Sequence, residues 1–169
     1  MVLFHVSEEP GIEVFTPRQV DTTSDALVWA IDDAHLRNYL APRDCPRVGY
    51  CAGRDTIPAD RDRFLGSSVA VLAIEAGWFE RMKSCRLWCY HLPSDTFELA
   101  DESAGYFVSR VPVRPVHVQV VDDPVSALVR RGVEVRIQAS LWSLRDAVIE
   151  STLEFSIIRW RNATPQPAA

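Results

Sequence analysis

A series of short apolar runs, each of strand length and separated by polar or turn-forming segments, constrains the fold of this chain most. Clear strands are predicted at residues 2–6, 26–31, 47–52, 69–75, 86–92 and 133–137. Continuous runs such as ALVWAI indicate buried strands, whereas the alternation in RLWCYHL indicates a half-buried one. Predicted helices are fewer and do not alternate regularly with the strands. This pattern favours an α+β fold over a doubly wound sheet.

Helix signals occur in four segments. In DDPVSALVRRG, Asp122 or Asp123 can cap, Pro124 lies in the first turn and Gly132 ends the helix. DDAHLRNYL and AGWFERMKS predict two shorter helices. In SLWSLRDAVIESTLEFSIIRWRN, apolar residues recur near helical spacing, so a helix is favoured, although the second half also fits a strand. GRDTIPADRDRFLGSS is expected to be a polar connection.

Length and composition predict one globular domain. The chain has 169 residues, 47% of them hydrophobic, and we expect a single domain over residues 1–161 with a disordered tail at 162–169. The net charge of −5 does not favour non-specific nucleic-acid binding, which needs a basic surplus. No apolar run approaches the roughly 18 residues of a membrane span, and the N-terminus lacks a basic start. We therefore expect a cytoplasmic protein without membrane association. The oligomeric state stays open.

The cysteines and short motifs indicate no metal or nucleotide-loop site. The spacing of Cys45, Cys51, Cys85 and Cys89 differs from the tight pairs of zinc sites, so buried thiols are expected. Glycine-rich dinucleotide and phosphate-loop motifs are absent from the sequence. Histidines and carboxylates occur without a diagnostic metal-binding spacing. No metal ligand is predicted, and the sequence requires no cofactor.

His5 and Ser7 lie at the end of the first predicted strand. Side chains at positions i and i+2 of a strand share a face, so both polar groups project from the same side. They can hold ribose hydroxyls or the amide of a nicotinamide. In the structural alternative, His5 bonds a neighbouring loop and Ser7 caps the turn at Glu8 and Glu9. The residue types leave both interpretations open.

Three segments carry a resemblance to a known superfamily. LFHVSEEPGIEVF resembles the first motif of the ADP-ribosyltransferase-like superfamily, in which a strand ends in His followed two places on by Ser or Thr. ALVWAIDDAHLRNYLA is similar to the second motif, with Trp29 at the aromatic position. AGYFVSRVPVRPVHVQVV is similar to the third region. The whole chain, with its L-x-H-V-S-E-E-P start, also resembles a bacterial family that has no assigned activity. The resemblance implies one domain with a small, mostly antiparallel, split sheet.

The sequence departs from the superfamily at its catalytic glutamate. Where relatives have Gly-Glu, this chain has Gly105-Tyr106. In the relatives, a carboxylate bonded to the ribose 2′-hydroxyl stabilises positive charge as the glycosidic bond of NAD breaks. A neutral phenol cannot supply that charge, and Asp101 or Glu102 would have to take its place. Tyr106 can instead stack on a base or nicotinamide ring, although core packing of an alternating strand also explains it.

The resemblance implies a pocket for NAD, ADP-ribose or another nucleotide-type ligand, with transferase activity atypical or lost. Whether the chain is an enzyme stays open; an enzyme here would be an ADP-ribosyl or related phospho- or glycosyltransferase, with NAD as substrate or ligand. Tyr39 joins the site because its segment is rich in arginines that can meet a phosphate. The alternative is a non-catalytic protein-interaction or regulatory module on the same scaffold. The candidate catalytic residues are His5 and Glu102, and the candidate ligand-binding residues are His5, Ser7, Trp29, Tyr39 and Tyr106.

Overall fold

Short strands dominate the secondary structure, as the spacing of the apolar runs predicts. The computed structural model describes residues 1–19 and 25–166. The strands are β1 (Val2–Ser7), β2 (Arg18–Gln19), β3 (Ala26–Ile31), β4 (Arg47–Cys51), β5 (Ala70–Glu75), β6 (Leu87–Pro93), β7 (Glu98–Asp101), β8 (Tyr106–Ser109), β9 (His117–Val121), β10 (Val133–Gln138) and β11 (Glu154–Ile158). The α-helices are α1 (Pro58–Phe64), α2 (Phe79–Ser84), α3 (Pro124–Arg130) and α4 (Trp142–Ile149). Short 3-10 turns cover Leu36–Tyr39, Ala76–Trp78 and Trp160–Asn162.

Residue contacts divide the chain into two units, each built from two separate segments. The first unit comprises Met1–Tyr39 and Arg86–Asp122, and the second comprises Leu40–Cys85 and Asp123–Ala169. The single domain over residues 1–161 stays a prediction.

The first unit is built on an antiparallel sheet. The strand order is β7-β8-β3-β1-β6-β9, with β2 paired to β3, and every one of these pairings is antiparallel. Because side chains alternate along a strand, one face of the sheet carries the apolar core. That core consists of Leu3, Phe15, Val28, Ala30, Tyr90, Leu92 and Val113.

The second unit has a smaller, mixed sheet of order β10-β5-β4-β11. β5 pairs with β10 in parallel, and the other two pairings are antiparallel. All residues of β4 and β5 are buried, including the charged Arg47 and Glu75 at their ends. The core cluster consists of Val48, Tyr50, Phe64, Leu65, Val71, Ala73, Leu141, Val148 and Leu153.

The predicted helix at 122–132 is confirmed, and so are the residues that were predicted to begin and end it. Helix α3 begins after Asp123, whose side chain accepts a hydrogen bond from the Ser126 N–H at 2.9 Å. Pro124 lies in the first turn, and Gly132 follows the helix with φ of 74°. This segment encodes its own boundaries because the capping group, the first-turn proline and the glycine all act locally.

Two local predictions are wrong, and a third segment forms a helix in its first half and the alternative strand in its second half. The segment expected to be a polar connection contains α1, whose Phe64 joins the core of the second unit. The segment DDAHLRNYL forms a 3-10 turn at Leu36–Tyr39 instead of an α-helix. The favoured helix in the last segment ends at Ile149, and β11 follows because it pairs with β4 along its whole length. Pairing with a distant strand overrides the helical spacing there.

Buried thiols are confirmed, since Cys45, Cys51, Cys85 and Cys89 are all buried. Burial raises the pKa of the Cys45 thiol to about 12, which keeps it protonated. In the predicted tail, Thr164 donates from its backbone N–H to the buried carboxylate of Glu75; residues 167–169 of that tail lie outside the described part. Within the described residues, none of the helices is both long and apolar enough to cross a membrane.

The α+β class with mostly antiparallel sheets is confirmed. The likeness to the ADP-ribosyltransferase fold in particular stays a prediction.

Candidate functional site

An aspartate–histidine pair lies just past the end of β3. The Asp32 carboxylate accepts the backbone N–H of His35 at 2.8 Å, and its Oδ1 lies 2.7 Å from Nδ1 of the His35 ring. The first of these bonds caps the turn that follows β3. The second places the ring proton on Nδ1, because a carboxylate can only accept. In the neutral ring, Nε2 then carries the lone pair.

Gly105 packs against this pair and explains why glycine occupies its position. Its φ is 66°, and a Cβ built there would lie 2.6 Å from Cγ of His35 and 2.9 Å from Cγ of Asp32. Its carbonyl also accepts the N–H of Asp32 at 3.1 Å. A side chain at residue 105 would therefore displace the imidazole.

Two tyrosine hydroxyls meet, and one of them belongs to Tyr106, the residue that follows Gly105. The hydroxyl oxygens of Tyr39 and Tyr106 are 2.5 Å apart, although 67 residues separate them in the chain. The Trp29 ring meets Tyr106 edge to face, with centroids 5.7 Å apart. Trp29 Nε1 is buried without a hydrogen-bond partner in the described part of the chain. We call Trp29, Asp32, His35, Tyr39 and Tyr106 the aromatic–histidine cluster.

The end of β7 and the turn that follows it carry the two carboxylates considered as replacements for the missing glutamate, Asp101 and Glu102. Hydrogen bonds from the Ser103 hydroxyl and the Ala104 N–H lower the pKa of Asp101, and the nearby His35 contributes in the same direction. Asp101 is thus anionic over the physiological range, but two donors of its own turn occupy its Oδ1. Glu102 is exposed in the same turn, and its backbone carbonyl accepts the N–H of Gly105 at 3.3 Å.

The sheet separates the predicted site residues onto two faces. Phe4 lies opposite Ile31, and Ile31 lies opposite Tyr106, so these side chains and Trp29 share one face. His5 follows Phe4 and therefore points to the other face. The expectation that all of these residues face one hollow is wrong, because the strand register fixes which side chains can meet.

The contacts of His5 and Ser7 match the alternative in which His5 bonds a neighbouring backbone group and Ser7 caps a turn. The His5 ring packs against Phe15 with centroids 4.7 Å apart, and Nδ1 lies 3.0 Å from the backbone carbonyl of Trp29. Ser7 accepts the N–H of Glu9 at 3.0 Å, as a turn cap does. A ligand-binding role for these two side chains stays a prediction. Trp29, Tyr39 and Tyr106, in contrast, are brought into contact.

His35 and Gly105 were not predicted from the sequence as partners of this group. The available signal was the Asp32-x-x-His35 spacing, at which an aspartate carboxylate can reach the N–H and the side chain three residues on. Gly105 could not be assigned a contact, because its neighbours come from a segment about 70 residues away in the chain. For metals, the described residues hold no group of three or more potential ligands.

The fold and the cluster define an α+β protein with a mostly antiparallel sheet that carries an aspartate–histidine pair and two paired tyrosines on one face. The model of a family of unknown function, DUF6886, matches residues 4–163, and the chain belongs to that family. No curated protein and no solved structure matches the chain. The resemblance to ADP-ribosyltransferases therefore stays a prediction.

Proposed function

We propose that the protein binds a small nucleotide-type ligand, with NAD and ADP-ribose as the first candidates, at the aromatic–histidine cluster. The observation that carries the proposal is the contact of the Tyr39 and Tyr106 hydroxyls, together with the Asp32–His35 pair that packs on Gly105, the residue before Tyr106. Hydroxyls and an imidazole of fixed tautomer suit the hydroxyls of a ribose. The neighbouring rings suit a base or nicotinamide.

Each part of the ligand has a matching group in the cluster. In the neutral ring of His35, the Nε2 lone pair can accept a hydrogen bond from a ribose hydroxyl. The two paired phenols can both donate and accept hydrogen bonds. The ring of Tyr106, half-buried on β8, offers a surface on which a base can stack. Stacking of this kind contributes about 1 to 3 kcal/mol per base in nucleic-acid complexes.

Binding rather than group transfer is the function that the residues favour. Tyr106 stands where the resembling superfamily has glutamate, and a free phenol has a pKa of about 10. Of the alternative carboxylates, Asp101 is engaged by its own turn, and Glu102 points from an exposed turn. Transferase activity is accordingly atypical or lost in this proposal.

The test is calorimetric titration and thermal unfolding with NAD, ADP-ribose and adenosine. A ligand at a hundred times its dissociation constant should stabilise the protein by about 2.7 kcal/mol. We expect His35→Gln and Tyr106→Phe to weaken binding at least tenfold. His5→Gln is the matched control, since it changes a histidine on the opposite face of the same sheet.

The outcomes show on which face of the sheet in the first unit the ligand binds. Loss of binding in His35→Gln with retention in His5→Gln supports the cluster. The reverse result would move the site to the His5 face. Absence of any stabilisation by the three ligands would contradict the proposal.

The second candidate function is a non-catalytic interaction module. A specific observation favours it, because three valines on or beside β9 expose 67% (Val116), 39% (Val118) and 48% (Val120) of their surface. Such a row on a sheet edge suits a protein partner better than a nucleotide.

A further inference from the structure

Two histidines lie directly opposite each other on neighbouring strands of the sheet in the first unit. His91 on β6 pairs with His117 on β9, and their rings are in contact, with centroids 4.8 Å apart and planes at 89°. The Val116 N–H donates to the His91 carbonyl at 2.9 Å, which holds the two strands together at this point. In an antiparallel pair, opposed Cβ atoms lie about 4.5 to 5.5 Å apart. The strand pairing therefore keeps two imidazoles within reach of one small ligand.

His91 carries a polar atom that the protein leaves unsatisfied. Its Nε2 is buried and has no hydrogen-bond partner within the described part of the chain. On the other neighbouring strand, β1, Phe4 pairs with His91, and its ring packs edge to face on the imidazole with centroids 5.0 Å apart. Burying a polar atom without a partner destabilises a fold, and a bound ion is one way to satisfy it.

The protonation state of His91 suits a metal ion. Burial lowers its pKa, and the neighbouring His117 acts in the same direction. The ring is therefore mostly neutral at physiological pH, and a neutral imidazole is the form that binds metals. His117 is exposed to solvent. Because exposed side chains change rotamer on the picosecond to nanosecond timescale, His117 can turn a ring nitrogen toward an ion that also contacts His91.

The ligand chemistry determines which ions this pair can accept. Imidazole nitrogen suits Zn²⁺, Cu²⁺ and Ni²⁺, whereas Mg²⁺ and Ca²⁺ prefer oxygen ligands. The described residues hold no group of three or more potential metal ligands, so water must complete the coordination. Structural metal sites, in contrast, are closed by protein ligands alone. We therefore expect exchangeable binding, not an ion on which folding depends.

We propose that His91 and His117 together bind one borderline divalent cation, such as Zn²⁺, Cu²⁺ or Ni²⁺. The chain has four histidines. Of the other two, His5 points to the opposite face of the sheet, and His35 is held by Asp32 through Nδ1. The inference uses no residue of the aromatic–histidine cluster, so it stands or falls separately from the proposed nucleotide-type ligand.

The first test is calorimetric titration of the protein with Ni²⁺. We expect the wild type to bind one ion per chain and His117→Ala to lose this binding. The exposure of His117 makes a loss of folding in this variant unexpected, and circular dichroism and the melting temperature check it. His5→Gln is the matched control and should bind Ni²⁺ like the wild type. A wild type that does not bind Ni²⁺, or a folded His117→Ala that binds it as tightly as the wild type, overturns the proposal.

The second test identifies the ligands. Electron paramagnetic resonance of the protein with one equivalent of Cu²⁺ should show two imidazole nitrogens bound to the ion. No sulfur ligand is expected, because the native thiols are buried. His91→Gln and His117→Ala should each remove the two-imidazole signal, and His117→Ala decides alone if His91→Gln does not fold. An unchanged signal in folded His117→Ala, or a single imidazole in the wild type, would contradict the proposed pair.

Discussion

Replacing Gly105 with alanine should destabilise the protein through two separate effects at the candidate site. The residue has φ of 66°, a left-handed conformation in which an L side chain costs about 1 to 2 kcal/mol. The added Cβ would lie 2.6 Å from Cγ of His35 and 2.9 Å from Cγ of Asp32. Since real Cβ contacts are not this short, the imidazole must leave its place and lose the 2.7 Å bond to Asp32.

The lost bond is partly exposed, with 18% of the His35 side chain accessible, so its net contribution is about 1 kcal/mol. Together the two effects amount to roughly 2 to 3 kcal/mol. Gly11→Ala is the matched control, because Gly11 has φ of 70° and no atom within 4 Å of its added Cβ. It therefore carries the conformational cost alone.

Urea unfolding of the two variants measures this difference. We expect Gly105→Ala to lose about 1 kcal/mol more than Gly11→Ala, or about 2 to 4 °C in melting temperature for a chain of this size. NMR of the His35 ring should show that the Nδ1-protonated tautomer is no longer fixed. Equal losses in the two glycine variants, with an unchanged His35 signal, would refute the packing of Gly105 against the aspartate–histidine pair.

Three other predictions concern parts of the fold outside the cluster. Burial lowers the pKa of His91, so the neutral form of its ring is favoured in the folded state. The free energy of unfolding should therefore fall as the pH drops below about 6.5, the pKa of a histidine in the unfolded chain. In urea titrations at pH 5 and pH 7, His91→Gln should lose less stability between the two pH values than the wild type. Hydrogen bonds from Ser126 lower the pKa of Asp123, so the Asp123 carboxylate stabilises the folded protein above pH 3.8, the pKa of an unfolded aspartate. Asp123→Ala should therefore lower the melting temperature at pH 7. The difference in melting temperature between this variant and the wild type should shrink as the pH falls below 3.8. Thr164→Val should cost about 1 kcal/mol in urea unfolding, because it removes the hydroxyl that donates to the buried Glu75 at 2.9 Å.

Local sequence signals located most elements. The runs at 26–31 and 47–52 became β3 and β4 within one residue, because most of their side chains are apolar and buried. Helix α1 was missed because its sequence, PADRDRF, is mostly polar and buries only Phe64. No local pattern distinguishes such a helix from a loop.

Some of the contacts in the candidate site were expected from the sequence, and others were not. Trp29, Tyr39 and Tyr106 were expected together and do meet. His5 was expected with them, yet it lies on the opposite face of the sheet. Its position depends on the pairing of Phe4 with Ile31, and a register shifted by one residue would have reversed it.

The sequence by itself determined the strand periodicity, the cap of α3 and the burial of the thiols, because each depends on a residue and its near neighbours in the chain. Only the tertiary structure decided which strands pair, which face each side chain occupies and which edge stays uncovered. Those features arise from contacts between segments that are distant along the chain. The meeting of the Tyr39 and Tyr106 hydroxyls across 67 residues is such a contact, and no local pattern encodes it.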